Sequence, residues 1–393
     1  MLIENVTLLD TAGTKNVSVE IDEQGTIRSM KPCEEKATKL LMPLMVDLNV
    51  SSKNESFDIH SLQALGSHAL ENGVGTVVLR PFAKEPVTTT TQLSSIYAYL
   101  NGLTTAEVLP SFSVLRDEKH LSDISTLLAN DGIVPYIYSD MDSNLMRRVM
   151  QYAVMKKVAI FCDLRDSSLN ADAMMNEGEI SSQLGLVGNT PLAELVQASK
   201  VIEMASYFDV EVVIKGISTV AVLDKITKAK RDGVRLKAEV SLHHLVLDDS
   251  SCLAYNTYAK VEPPLRDKQE VEAMQGALKE GKIDILTSLH APKSQLQKET
   301  AFAHASVGTQ GLKNIFSLYY SKLVKTGLID LEKLFQLTVV TPSLYIPRSH
   351  TAFKVGDKTP SMLIDLEKCF VVDEINDLYH GQKVHGCILN IFQ

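Results

Sequence analysis

Leu44-Met45-Val46-Asp47-Leu48-Asn49-Val50-Ser51-Ser52-Lys53 opens as a short apolar run behind Pro43 and then breaks into small polar residues. A strand-length apolar run with a polar exit reads as the first strand of a parallel α/β sheet or barrel. The alternation of strand, loop and helix continues downstream. Strands are expected at 45–50, 75–79, 107–114, 133–138, 158–162, 210–214, 234–240 and 283–288. Between them, Ile59, Leu62, Leu65 and Ala69 share one helical face, and Thr190-Pro191 opens a later helix as cap and first-turn proline. Val222, Ile226 and Ala229 mark another helix, and Leu312, Ile315, Phe316 and Tyr319 a late one. Eight strands alternating with helices over about three hundred residues predict a (β/α)8 TIM barrel. A doubly wound open sheet is the competing arrangement, but no glycine fingerprint for a dinucleotide or phosphate follows any of these strands.

Both ends of the chain read differently. Residues 2–9 form a candidate strand, 16–21 alternate at period two, and Glu23-Gln24-Gly25 supplies a turn into 26–28. After a helix expected over 331–345, strands return at 361–365, 369–372 and 387–391. Strand-rich ends flanking one barrel predict a small β-sandwich formed by both termini. The expected division is 1–44 and 345–393 for the two parts of the β domain and 45–344 for the barrel.

A chain of 393 residues with 45% hydrophobic and 22% charged residues has the balance of a large globular core. A formal net charge of −9 offers no basic face for nucleic acid. No run approaches the roughly 18 apolar residues of a membrane span, and residues 1–10 lack a secretory pattern. Five scattered cysteines without a CxxC motif fit reduced thiols, so the expected compartment is cytoplasmic.

In a barrel of this kind, chemistry sits just beyond the carboxyl ends of the strands. Those positions hold Asn49, Ser51 and Lys53 after strand one, Arg80 after strand two and Asp140 after strand four. Asp163 follows strand five, Gly216 strand six, His243 and His244 strand seven, and Leu289, His290 and Lys293 strand eight. A hydrolytic zinc site needs three or four converging His, Asp or Glu ligands with one position open to water. No His-x-His and no His-Glu-x-x-His occurs in the chain. The adjacent His243 and His244 would point to opposite faces of extended backbone. His290, beside Ala291-Pro292, reads as a hydrogen-bonded loop histidine, Cys162 as a buried strand-end thiol, and Pro263-Pro264-Leu265-Arg266 as a structural loop. Lys53, Arg80 and Lys293 form an anion pocket at the mouth or else pair with Asp140 and Asp163. Asp163 is open to neutralisation by Lys53 or Arg165.

At these residues the chain resembles the dihydroorotases of the amidohydrolase superfamily. Asp47-Leu48-Asn49-Val50-Ser51-Ser52-Lys53 occupies the place of that family's Asp-Leu-His-Val-His-Leu-Arg. Gly73-Val74-Gly75-Thr76-Val77-Val78 is similar to Gly-Phe-Thr-Thr-Val, and Ile217-Ser218-Thr219 to the His-Val-Ser-Thr turn without its His. Ser139-Asp140 and Asp166-Ser167-Ser168-Leu169 match the turns after strands four and five. Glu239-Val240-Ser241-Leu242-His243-His244-Leu245 resembles Glu-x-x-Pro-His-His-Leu, and Lys260-Val261-Glu262-Pro263-Pro264-Leu265-Arg266 resembles Lys-x-Asn-Pro-Pro-Leu-Arg. Residues 283–293 resemble Ile-Asp-x-x-x-Thr-Asp-His-Ala-Pro-His. Seven matches in order carry the resemblance.

What the resemblance implies is a zinc-dependent hydrolase of a cyclic amide, with systematic losses. The metal-binding His pair is Asn49 and Ser51, the later metal histidines are Asp163 and Gly216, and the catalytic Asp is Leu289. The substrate-carboxylate Arg is Lys53, the Met-Pro-Asn-Thr segment reads Arg80-Pro81-Phe82-Ala83, and the last substrate-contacting His is Lys293. Losing parts of one catalytic unit costs several orders of magnitude in rate. The expectation is therefore a pseudoenzyme of pyrimidine biosynthesis with no cofactor and no catalytic residues. Asn49, Ser51, Lys53, Arg80, Asp140, Asp163, Gly216, Leu289, His290 and Lys293 would form its vestigial pocket. The family includes non-catalytic chains that assemble with the aspartate carbamoyltransferase catalytic chain, so that chain is the expected partner in a homo- or hetero-oligomer. The competing expectation is a divergent amidohydrolase using Asp140, Asp163 and His290. A third is a small-anion sensor built on Lys53, Arg80 and Lys293.

Overall fold

The structure, a computed structural model, describes residues 1–393 apart from Glu23, Gln24, Glu35, Lys36, Lys84, Leu103, Thr104 and Ser349. Glu23 and Gln24 of the expected turn thus lie outside the described residues.

The apolar runs become parallel strands. Met45–Val50, Val74–Leu79 and Glu107–Pro110 make one ladder. Phe112–Ser113, Pro135–Tyr138, Ile160–Asp163, Val212–Lys215, Leu236–Ser241 and Ile285–Thr287 make the other. The third strand, expected as one run, breaks at Ser111, whose hydroxyl and N–H both donate to the Leu79 carbonyl. Its two halves serve different neighbours.

The last seam closes without a ladder, through Asp47. Its carboxylate accepts the Thr287 hydroxyl at 2.6 Å and the Ser288 N–H at 2.9 Å from the eighth strand, and the Asn49 N–H at 3.0 Å from its own. The Ser51 N–H adds a bond to the His290 carbonyl at 2.7 Å. A closed circuit of this kind is a barrel and not an open sheet.

Strand parity sorts the core. Leu48, Val78, Leu109, Tyr136, Phe161, Val213 and Ile285 point inward and fill the barrel. Val77, Val108, Ile137, Ile160, Val212 and Val240 point outward beneath the helices. The first helix, Ile59–Glu71, buries Leu62, Leu65 and Ala69 as expected, whereas Ile59 at its start is 39% exposed. The helix expected over 331–345 unwinds along its length, from α at Leu331–Phe335 through π at Gln336–Val340 to 3-10 at Pro342–Tyr345. Its β-branched run Thr338-Val339-Val340-Thr341 ahead of Pro342 disfavours a regular α-helix there.

Both termini join one six-stranded sheet. Its order is Lys383–Phe392, Ser361–Val371, Lys39–Pro43, Leu2–Asp10, Gly13–Ile21, Ile27–Pro32. Leu9, Leu40, Met42 and Ile364 face the barrel. Leu8, Val19, Leu41 and Leu363 pack on Phe353 in a separate small core. The fold is the expected (β/α)8 barrel with a small β-sandwich formed by both termini.

His243 and His244 correct their expectation. They lie on the short helix Leu242–Val246, not on extended backbone, and both are buried. His244 Nε2 donates to the Pro263 carbonyl at 3.0 Å while its Nδ1 meets the Ser241 hydroxyl at 2.7 Å. His243 Nδ1 pairs with the Tyr379 hydroxyl at 2.9 Å. Burial holds the imidazoles neutral, lowering His243 to about 3 and His244 to about 4.

Two outcomes follow. Asp47→Ala removes a charged acceptor of three bonds and should lower unfolding free energy by about 3 kcal/mol in denaturant titration. In acid, the unfolded chain takes up protons on these histidines from about pH 6.5 while the folded chain does not until near their lowered values. Stability should therefore fall with pH below about 6.5, by up to about 1.4 kcal/mol per unit for each histidine. Replacing both with Gln should reduce that slope, leaving the share of His290 and His68, which burial also lowers.

Candidate functional site

The inward parity of the barrel strands carries a charge into its centre. Two residues past inward-facing Val213 stands Lys215, the end of the sixth strand, with no exposed side-chain surface. Its ammonium donates to the Leu48 carbonyl at 2.8 Å, lies 4.5 Å from the centre of the Phe161 ring, and pairs with the fully buried Glu239 of the seventh strand. Glu239 also accepts the Asn49 side-chain amide at 2.8 Å and the Gly216 N–H at 3.4 Å. Burial pushes Lys215 down and Glu239 up from their ordinary ranges, and their mutual attraction opposes both shifts.

A second pair sits nearer the mouth. Asp163 accepts Arg80 at 2.5 Å and the Tyr136 hydroxyl at 2.8 Å. Phe82 stacks on Tyr138 at 4.2 Å, with the Arg165 guanidinium 4.7 Å from the Tyr138 ring centre on its way to Asp140 at 3.3 Å. Further out, Glu194 of the helix Pro191–Phe208 accepts from Ser218 and Thr219 and pairs with Arg266 at 3.6 Å. Arg266 also reaches Asn176 at 3.1 Å and the Asn189 carbonyl at 2.9 Å. The loop carrying Pro263 and Pro264, expected to be structural, places Glu262, Pro263 and Arg266 in the lining of the barrel mouth.

These residues enclose a cavity of about 280 Å³ at the barrel mouth. Of the ten residues expected to share it, Asn49, Arg80, Asp163, Gly216 and Leu289 line it. Lys53, His290 and Lys293 do not; they line a separate groove outside the barrel mouth. Ser51 is buried at the barrel seam, and Asp140 is held by Arg165. The cation neutralising Asp163 is Arg80, in place of the expected Lys53 or Arg165. Lys293 pairs with Glu55 at 2.9 Å. His290 is the hydrogen-bonded histidine expected: its Nδ1 accepts the N–H groups of Gly311 and Leu312 at 3.2 and 3.3 Å. The Asp140, Asp163 and His290 set of the divergent-hydrolase reading is therefore not brought to one point.

Lys215 and Glu239 are the residues that sequence reasoning missed. The available signal was parity: a Lys and a Glu at inward positions of apolar strands, each unsupportable without the other.

The family's metal does not fit the residues present. Among the described residues no group of three or more His, Cys, Asp or Glu could hold a metal ion. Four carboxylates in and around the barrel are committed: Glu239 to Lys215, Asp163 to Arg80, Asp140 to Arg165 and Asp47 to the seam. Gly216 takes a left-handed φ of +59°, and an added Cβ would meet Pro263 at 3.3 Å. Leu289 also sits at a left-handed φ, +51°, which Asp and Asn tolerate far better than Leu.

No family model matches the chain. Among solved structures, the dihydropyrimidinase from Brevibacillus agri aligns with TM-score 0.81 at 15% identity, over 99% of this chain and 93% of that one. The L-hydantoinase (dihydropyrimidinase) from Arthrobacter aurescens aligns with TM-score 0.82 at 16% identity over the same shares. These place the fold. Among curated proteins, the dihydroorotase of Thermoanaerobacter is 27% identical over 413 aligned positions, 99% of this chain and 94% of that protein. The dihydroorotase of Pelotomaculum thermopropionicum is 30% identical over 298 positions, 74% of this chain and 69% of that protein. The expectation of no cofactor is corrected by these matches, because the relatives and fold neighbours are metal-dependent amidohydrolases. Counting imidazoles measures how this chain could grip a metal, not whether its family uses one. The chain belongs to the dihydroorotase family of the amidohydrolase superfamily, the cyclic amidohydrolases of pyrimidine metabolism.

Proposed function

We propose that this chain is a dihydroorotase-family protein that has given up hydrolysis and serves as a structural or regulatory subunit for the aspartate carbamoyltransferase catalytic chain. The observation that supports this reading most is the state of the mouth. The centre of the barrel is filled by Lys215, bonded to Glu239 and the Leu48 carbonyl. The position the resemblance gives to the proton-transferring acid is Leu289, which exchanges no proton at any pH. Opening a cyclic amide by general acid–base catalysis requires such a group within reach of the scissile bond. Asp163 and Asp140, the two carboxylates expected to serve a divergent hydrolase, are each paired with an arginine.

A subunit role moves function to the outer surface, and the fold supplies a large one. The helices Ser143–Lys156 and Pro191–Phe208 carry exposed Met155, Leu192, Val196 and Tyr207. A cytoplasmic setting fits the five unpaired cysteines.

The deciding experiment is a paired measurement. Tagged protein purified from its own lysate should retain aspartate carbamoyltransferase through washing, and a preparation that never does removes the reading. In parallel, the purified chain supplied with zinc should turn over dihydroorotate or a hydantoin at least about 10⁴-fold more slowly than an intact relative. Turnover near the relative's rate, with stoichiometric zinc, overturns the proposal. Leu289→Asp alone should leave the rate at background, because members of a catalytic unit act together.

A further inference from the structure

The groove that receives Lys53, His290 and Lys293 shares no lining residue with the barrel mouth. Its volume is about 840 Å³. The unusual feature is its floor. Lys298, at the end of the short helix Gln295–Lys298, is 1% exposed, and its ammonium donates to the Ser306 carbonyl at 2.8 Å. Behind it, Lys260 is 6% exposed and donates to the Phe302 and Ala303 carbonyls at 2.8 and 3.3 Å. Among the described residues, neither lysine has a carboxylate partner; the nearby acid Glu55 is taken by Lys293. Lysines this buried are ordinarily paired, because an ammonium removed from water without a counter-charge is costly. Burial, with Lys260 and Lys293 close by, lowers Lys298 to about 8.

The neighbouring side chains sharpen the point. His68 lines the groove with its Nε2 buried and without a hydrogen-bond partner, its ring 5.6 Å from that of His290. Burial lowers His68, so the ring does not supply an additional cation. Elsewhere in the groove lining Lys313 is spent on Glu374, and Glu71, Asp373 and Asp377 are also present. The uncompensated positive charge gathers around Lys298, close to Lys260 and Lys293.

We propose that this basic cluster is a binding site for a small polyvalent anion, a phosphate or dicarboxylate group seated on Lys298 and Lys293 with Lys53 at the rim. The anion supplies the counter-charge that the buried ammonium of Lys298, and that of Lys260 behind it, lack, while Lys293 adds a donor already balanced by Glu55. The site is independent of the barrel mouth and of any scaffolding role.

Calorimetric titration of the full chain at low ionic strength tests it, with inorganic phosphate in one arm and succinate in the other. Saturable binding of either is expected, and the stronger arm identifies the anionic group. Lys298→Met should weaken it by about tenfold or more, the cost of one charge-assisted contact. Because Lys298 is buried, Lys53→Met, at an exposed rim position, provides a variant that keeps the fold and should weaken binding several-fold. No saturable binding of either anion up to about 10 mM, or binding that survives both substitutions, overturns the proposal.

Discussion

A positive charge at the centre of a hydrocarbon-lined barrel constrains everything around it. An ammonium removed from water demands a counter-charge and a full set of acceptors. Lys215 obtains them from Glu239, the Leu48 carbonyl and the face of Phe161. Each partner comes from a different strand, so satisfying one side chain draws strands one, five, six and seven into mutual register. Asn49 is then oriented by what Glu239 has left to accept. In a metal-dependent relative, a bound ion would perform comparable work by gathering side chains from several strands. Here the covalently attached Lys215 ammonium gathers them.

Much of the fold was legible because it follows from burial parity. The runs at 133–138 and 158–162 are apolar on both faces, as a covered parallel strand requires, and they fold so. The terminal sheet was legible for the opposite reason, alternation at one end of the chain answered by strands at the other. What escaped was any feature fixed by a partner distant in sequence. Lys215 and Glu239 each look like solvent-facing polar residues until Lys215 is counted two on from inward Val213 and Glu239 is set on the face opposite outward Val240. The break at Ser111 depends on the Leu79 carbonyl, and the helical placement of His243 and His244 on the Ser241 cap and on Tyr379.

The expected single pocket failed in an instructive way. Lys53 follows strand one, and His290 and Lys293 follow strand eight, the same strands that place Asn49 and Leu289 in the mouth lining. The loop geometry turns them outward: the Asn54 N–H bonds to the Pro292 carbonyl, and Ala291 pairs with Thr309. A strand predicts how high a residue stands in the barrel; only its loop decides which side of the rim it visits. Two chemically distinct compartments result from residues that a linear reading groups together.

The sheet shared by the two ends of the chain has a consequence for biosynthesis. The strand Lys39–Pro43 lies between Leu2–Asp10 and Ser361–Val371, so one of its edges waits for a neighbour translated about three hundred residues later. During synthesis, that edge and the apolar underside carrying Leu40 and Met42 stand uncovered while the barrel emerges. An unpaired edge of this kind is a template for wrong partners, and a pairing so distant along the chain forms late and slowly. The nascent protein therefore carries an adhesive margin while the whole barrel is translated, and only the two strands that follow the barrel seal it.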